Sequence, residues 1–175
     1  VSNNRLGEIV LIDEEKLVLE YNNLLKKQRF RLFTMFSMPT GWFAGLRVVQ
    51  LDDNVCLTSL PGGWRTQNPF KTMYWAVQGM GAELSTGAAT FALSKSMSEK
   101  LRMFVVSTEA KFTKTAKGKI TFTCEENSIA RAAIEESKVT GKPVECNLTS
   151  IATDSSGDIV SEWIFKWNFL VISGE

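Results

Sequence analysis

Between Lys71 and Lys95 the chain carries one charged residue, Glu83. A carboxylate in so apolar a stretch has two readings. It is a general base or nucleophile, its pKa raised by desolvation until it handles protons near neutrality. Or it is a buried acid paired with a strand lysine or arginine, or hydrogen-bonded to Ser or Thr. The chain contains no histidine. That removes Ser-His-Asp and Cys-His sites, a histidine zinc centre and a histidine base. Acid–base work is left to carboxylates, lysines, tyrosines and cysteines. Cys56, Cys124 and Cys146 form no CxxC motif and read as reduced thiols of a cytoplasmic protein. The sequence calls for no metal and no cofactor.

The elements that must position Glu83 follow from length and pattern. The chain has 175 residues, 44% apolar and 22% charged, the profile of one globular domain. Twenty basic residues against nineteen acidic ones, without a basic tail or stripe, argue against a nucleic-acid partner. Residues 1–7 are polar, and 9–12 are too short for a signal-peptide core, so no leader is expected. Asp13-Glu14-Glu15 caps a first helix, and a second short helix or turn is expected over 29–38, before Pro39-Thr40-Gly41.

Residues 46–51 and 55–60 flank Asp52-Asp53-Asn54 and predict a hairpin. A long helix is expected over 72–95, followed by strands over 103–113 and 120–125. A shorter helix over 128–139 is capped by Asn127 or Ser128 and stopped by Gly141 and Pro143. A second hairpin joins 144–153 to 159–172. In its last strand Ile159, Trp163, Phe165, Trp167, Phe169 and Val171 share one face. This order predicts an α+β class, a single antiparallel sheet curved around one helix covered almost all round. Gly79, Gly81 and Gly87 let something approach that helix closely: the sheet, a second copy or a ligand chain.

The segment 68–87 resembles the active-site segment of hotdog-fold acyl-CoA thioesterases of the phenylacetyl-CoA (PaaI-like) type. Their pattern starts at an Asn, with Thr four residues on, His at six, an acid at fifteen and Gly at nineteen. This chain has Asn68, Thr72, Tyr74, Glu83 and Gly87 at those offsets, and Ala82-Glu83-Leu84 matches a common Ala-Glu-Leu. Family members often carry His-Gly-Gly where this chain has Tyr74-Trp75-Ala76. The resemblance implies a hotdog core over 45–172 behind a helical extension over 1–44, one domain in all. It implies hydrolysis of an acyl-CoA or acyl-carrier thioester.

In that reading Glu83 activates water or attacks the thioester, and Asn68 orients the carbonyl or the water. The N–H groups of Trp75 and Ala76 bind the oxyanion. Tyr74, Thr72, Ser85, Thr86 and Gly87 line the substrate site. Arg65, Lys71, Arg102 and Lys111 are candidates for CoA phosphates, or plain solvated cations. Tyr74 and Glu83 are nine residues apart, roughly 13 Å along a helix. One reacting carbon therefore meets both only if they come from two chains, so a homodimer, or a tetramer built from it, is required.

Other readings stay open. A non-catalytic hotdog protein would bind acyl chains with Glu83 structural. A hotdog hydratase usually needs the histidine that is absent. A membrane-associated lipid carrier would use the aromatic run 30–43. A stable transmembrane span over 72–95 is disfavoured by Glu83, Gln78 and the amphipathic strands on both sides.

Overall fold

The computed structural model describes residues 12–172; the leader reading of residues 1–11 lies largely outside them. Eleven elements follow in chain order. Three helices come first: α1 (Glu14–Leu25), α2 (Lys27–Ser37) and α3 (Pro39–Ala44). Then come β1 (Arg47–Leu51), β2 (Cys56–Leu60), α4 (Trp75–Ser96), β3 (Lys100–Phe112) and β4 (Ile120–Cys124). The chain closes with α5 (Asn127–Thr140), β5 (Val144–Thr153) and β6 (Ile159–Ile172).

The six strands form one sheet in the order β1-β2-β4-β5-β6-β3. Every neighbouring pair is antiparallel. The sheet curves around α4, which is the hotdog architecture. Consecutive β3 and β4 do not pair with each other: β3 lies beside β6 at one edge, while β4 sits between β2 and β5.

Local chemistry explains the elements. The Asp13 side chain caps α1 by accepting from the Lys16 N–H at 3.0 Å. The second helical stretch is two helices rather than one. Pro39, expected to punctuate, instead starts α3, because its fixed φ suits a first helical position and its missing N–H costs nothing there. Gly45, at φ 82°, ends α3 in the left-handed region. The Asp52 carboxylate accepts from the Asn54 and Val55 N–H groups at 2.9 and 3.0 Å and folds the β1–β2 turn.

Asn127 does not cap α5. It is that helix's first residue, and its amide nitrogen donates to the Asp52 carbonyl at 2.8 Å, tying α5 to the β1–β2 turn. Gly141 ends α5 at φ 65°. On β6 the face shared by Trp163, Phe165, Trp167, Phe169 and Val171 is buried, but Ile159 is exposed. An irregularity in the ladder beside Thr153 breaks the alternation at that end.

The core lies between α4 and the concave face of the sheet. Trp163 stacks on Phe165 and Trp167 on Phe169, with centroids 6.1 and 6.2 Å apart. Burying each such side chain stabilises by about 1.5–3 kcal/mol. The glycines of α4 answer to this packing. A β-carbon on Gly81 would lie 2.4 Å from the Phe122 ring, and on Gly79 or Gly87 it would lie 3.4 or 3.2 Å from the indoles of Trp163 and Trp167. Close approach of the sheet therefore requires glycine at 81 and is tight at 87, whereas at 79 the contact would be ordinary.

Candidate active site

α4 begins without a side-chain cap. Tyr74 is its extended N-cap residue, and the Tyr74 carbonyl accepts from the Val77 and Gln78 N–H groups. The N–H groups of Trp75 and Ala76 have no acceptor among the described residues. They are free donors at a helix N-terminus, where the macrodipole favours negative charge.

The loop before them explains why α4 starts at Trp75 rather than Thr72. The Asn68 side-chain oxygen accepts from the Phe70 and Thr72 N–H groups at 2.9 and 3.3 Å. Its amide nitrogen donates to the Thr72 hydroxyl at 2.9 Å. Lys71 takes a left-handed φ of 63°, and the turn returns the chain to a bridge between Gln67 and Met73. Asn68 thus shapes the loop entering α4, its amide engaged with Thr72 and Phe70. A hollow of about 400 Å³ lies beside this end, lined by Asn68, Thr72, Trp75, Gln78 and Phe112 among others.

The helix is not covered all round. Ala76, Met80, Leu84, Gly87, Phe91 and Ser94 keep partial exposure, and Glu83 is exposed among them. They recur at helical spacing and form one open face of α4. At the edge of the sheet beyond β6, β3 is thirteen residues long and has a partner on one side only.

Glu83 lies on that open face. The reading of it as a buried, paired acid fails: it is exposed, and none of the ion pairs among the described residues includes it. One turn before it is Gly79 and one turn after it Gly87, each against an indole. The indoles fill the space at those two positions, and Met80, three residues before Glu83, shares its open face. The protein around it still removes enough water to push its pKa above the ordinary carboxylate value.

Ser85 and Thr86 point inward. The Ser85 hydroxyl bonds to the Ala82 carbonyl and the Ser150 hydroxyl at 2.8 and 2.7 Å. Thr86 donates to the Glu83 carbonyl at 2.9 Å and accepts from the Trp167 indole at 3.0 Å. Both are fully buried. Arg65 and Lys71 are exposed on the loops before α4, whereas Arg102 and Lys111 pair with Leu170 and Glu162 on the sheet face turned away from the helix.

In the sequence Gln78 is only a polar group in an apolar helix. It is buried and central to a chain of hydrogen bonds. The Trp163 indole donates to the Ser161 hydroxyl at 2.9 Å, which donates to Gln78 Oε1 at 3.0 Å, and Gln78 Nε2 donates to the Met73 carbonyl at 3.1 Å. A glutamine in an apolar helix is the one available signal for such a network. No group of three or more His, Cys, Asp or Glu residues among those described is placed to hold a metal ion. No helix among them is long and apolar enough to cross a membrane.

Solved structures share this arrangement. A Pseudomonas aeruginosa protein described as a probable thioesterase (PA5026) superposes with a TM-score of 0.68 at 21% identity, over 85% of this chain and 97% of its own. A thioesterase from Haemophilus influenzae (HI1161) does so at 0.62 and 12%, over 86% and 94%. A protein of unknown function from Chlorobaculum tepidum does so at 0.66 and 13%, over 82% and 93%. At these identities the likeness establishes the hotdog fold. No curated protein matches the sequence significantly. Residues 26–169 match the family described as Domain of unknown function (DUF4442), and the chain belongs to that family.

Proposed function

We propose that the chain hydrolyses a thioester, an acyl-CoA or an acyl-carrier thioester, at the interface of a homodimer. The observation that carries this is Glu83: an exposed carboxylate of raised pKa on the open face of the central helix, in no ion pair among the described residues. The free N–H groups of Trp75 and Ala76 supply the complementary half, donors aimed at an oxyanion. The two halves are too far apart along one helix to meet a single carbon. The edge of β3 and the open face of α4 are the surfaces through which a second copy would bring them together.

In this mechanism Glu83 takes a proton from water as the water oxygen attacks the thioester carbonyl carbon. The N–H groups hold the oxyanion of the tetrahedral intermediate. Collapse breaks the carbon–sulfur bond, the sulfur takes the proton held by Glu83, and carboxylic acid and thiol leave. The direct-attack variant passes through a mixed anhydride with Glu83, which water then opens. Asn68 acts by shaping the loop that presents the helix end, and Thr72 and Tyr74 line the approach. Arg65 and Lys71 are placed for the phosphates of a bound CoA. Gly87 lets the Trp167 indole pack against the turn beyond Glu83, and Ser85 and Thr86 hold the helix to the sheet. The reaction belongs in the cytoplasm, where such thioesters are made.

A second reading, acyl binding without turnover, draws on one observation. Tyr74 and Trp75 stand edge to face, centroids 5.8 Å apart, at the helix end the thioester must reach. Release of free thiol from a panel of short-, medium- and long-chain and aromatic acyl-CoAs separates the two. Turnover of any member supports hydrolysis. A thermal shift with an acyl-CoA and no thiol release supports binding alone.

A further inference from the structure

Between Glu20 and Asp52 the sequence holds Lys26, Lys27, Arg29, Arg31 and Arg47 and no acid, in a chain whose net charge is +1. None of these five cations joins an ion pair among the described residues. Four lie on or just before α2. That helix packs inward through Phe30, Phe33 and Thr34, with Phe33 against Phe91 of α4 at 5.6 Å between centroids. Its other side carries Leu32, Met35 and Phe36, which are 58%, 37% and 77% exposed. Spaced three and four apart, they form one protruding stripe, with Arg29 and Arg31 on its two flanks.

We infer that this face of α2 docks on an anionic lipid surface. Leu32, Met35 and Phe36 enter the boundary between headgroups and acyl chains, while the arginine and lysine stems lie along it and keep their charged ends at the lipid phosphates. Charge decides the occupant. A two-fold contact with a second copy would set Lys26, Lys27, Arg29 and Arg31 against the same cations. The stripe also protrudes as a ridge, which a fluid bilayer takes up without a matching groove. Location agrees: α2 packs on β1, the sheet edge opposite β3. A dimer formed along β3 therefore leaves the stripe free. With no membrane-crossing helix among the described residues, the association is peripheral and reversible.

The test uses the whole chain and vesicles, with no catalytic readout. Cosedimentation with vesicles of phosphatidylglycerol in phosphatidylcholine should exceed that with phosphatidylcholine alone by at least about tenfold at low salt. Lys26→Glu with Arg29→Glu should abolish the difference. Leu32→Ser with Phe36→Ser should weaken partition by about tenfold while the unfolding midpoint stays at the wild-type value. The inference is overturned by equal partition into both vesicles, by none into either, or by both double variants binding as the wild type does. It is also overturned if Leu32→Ser with Phe36→Ser lowers the sedimenting mass, which assigns the face to a second copy. Retention on polyglutamate without vesicle binding assigns it to an acidic protein and overturns it likewise.

Discussion

The Trp167 indole donates to the Thr86 hydroxyl at 3.0 Å, and Thr86 donates in turn to the carbonyl of Glu83 at 2.9 Å. A sheet residue is thereby tied to the helical turn that carries the candidate catalytic carboxylate. Together with Ser85 to Ser150 and Thr58 to the Gly81 carbonyl, this bond fixes how α4 is rotated against the sheet. Rotation decides whether Glu83 faces the open side. Thr86→Val should cost about 1–3 kcal/mol in denaturant unfolding, because it leaves the buried indole N–H without an acceptor. Activity should fall further than that loss of folded protein explains. Activity unchanged in the folded fraction would show that this bond does not position the site.

The glycines of α4 make separable predictions. Gly81→Ala should destabilise by about 1–3 kcal/mol, since a β-carbon there meets the buried Phe122 ring at 2.4 Å. Gly79→Ala has ordinary contact with Trp163 at 3.4 Å and gains helix propensity of about 1 kcal/mol, so it should be neutral or stabilising. Thermal unfolding of the two variants side by side checks the difference.

Much of this was legible in the sequence, for physical reasons. Alternation on β6 and the turn residues at Asp52 to Asn54 and Asp154 to Asp158 define strands by local chemistry alone. Glu83 was visible because charge is rare in an apolar helix. Its exposure was not, since burial depends on how far one sheet can wrap. Ser85 and Thr86 read as candidate substrate contacts because a hydroxyl in a sequence does not reveal its partner; Ser150 and Trp167 are more than sixty positions away. Asn68 stands out in the sequence only through the family resemblance, and its bonds to Phe70 and Thr72 are made by a loop whose left-handed Lys71 no composition rule suggests. The start of α3 at Pro39 is not legible in the sequence because proline marks both the end of one helix and the beginning of the next.

Acidification should act on activity and stability in opposite directions. Glu83 must be ionised to accept a proton, so kcat/KM should fall as pH drops through its pKa, on a limb above the ordinary carboxylate value. A raised pKa also means that the folded state holds this proton more firmly than the unfolded chain does. Glu83 therefore favours folding at low pH, and that contribution is lost as pH rises through the raised pKa. The unfolding midpoint of Glu83→Gln should exceed that of the wild type at neutral pH, and the gap should close on acidification. A gap independent of pH would contradict the raised pKa.

The dimer can be tested without knowing the substrate. Leu84 lies half-buried on the open face of α4, one position from Glu83. Leu84→Arg should leave the single chain folded but place a charge in an apolar contact between copies. Sedimentation should then give the mass of one chain, and hydrolysis should be lost with the dimer. A wild type that sediments as a monomer at working concentration and still turns over substrate would remove the two-chain site.

Glu83→Gln tests the central claim most directly, in the best acyl-CoA substrate of the wild type. The carboxylate is exposed in the single chain and makes no ion pair among the described residues, so fold and dimer should survive the change. Hydrolysis should fall by about 10²–10⁴-fold, chiefly in kcat, with substrate still bound. A folded, dimeric Glu83→Gln protein that releases thiol at the wild-type rate would contradict the account.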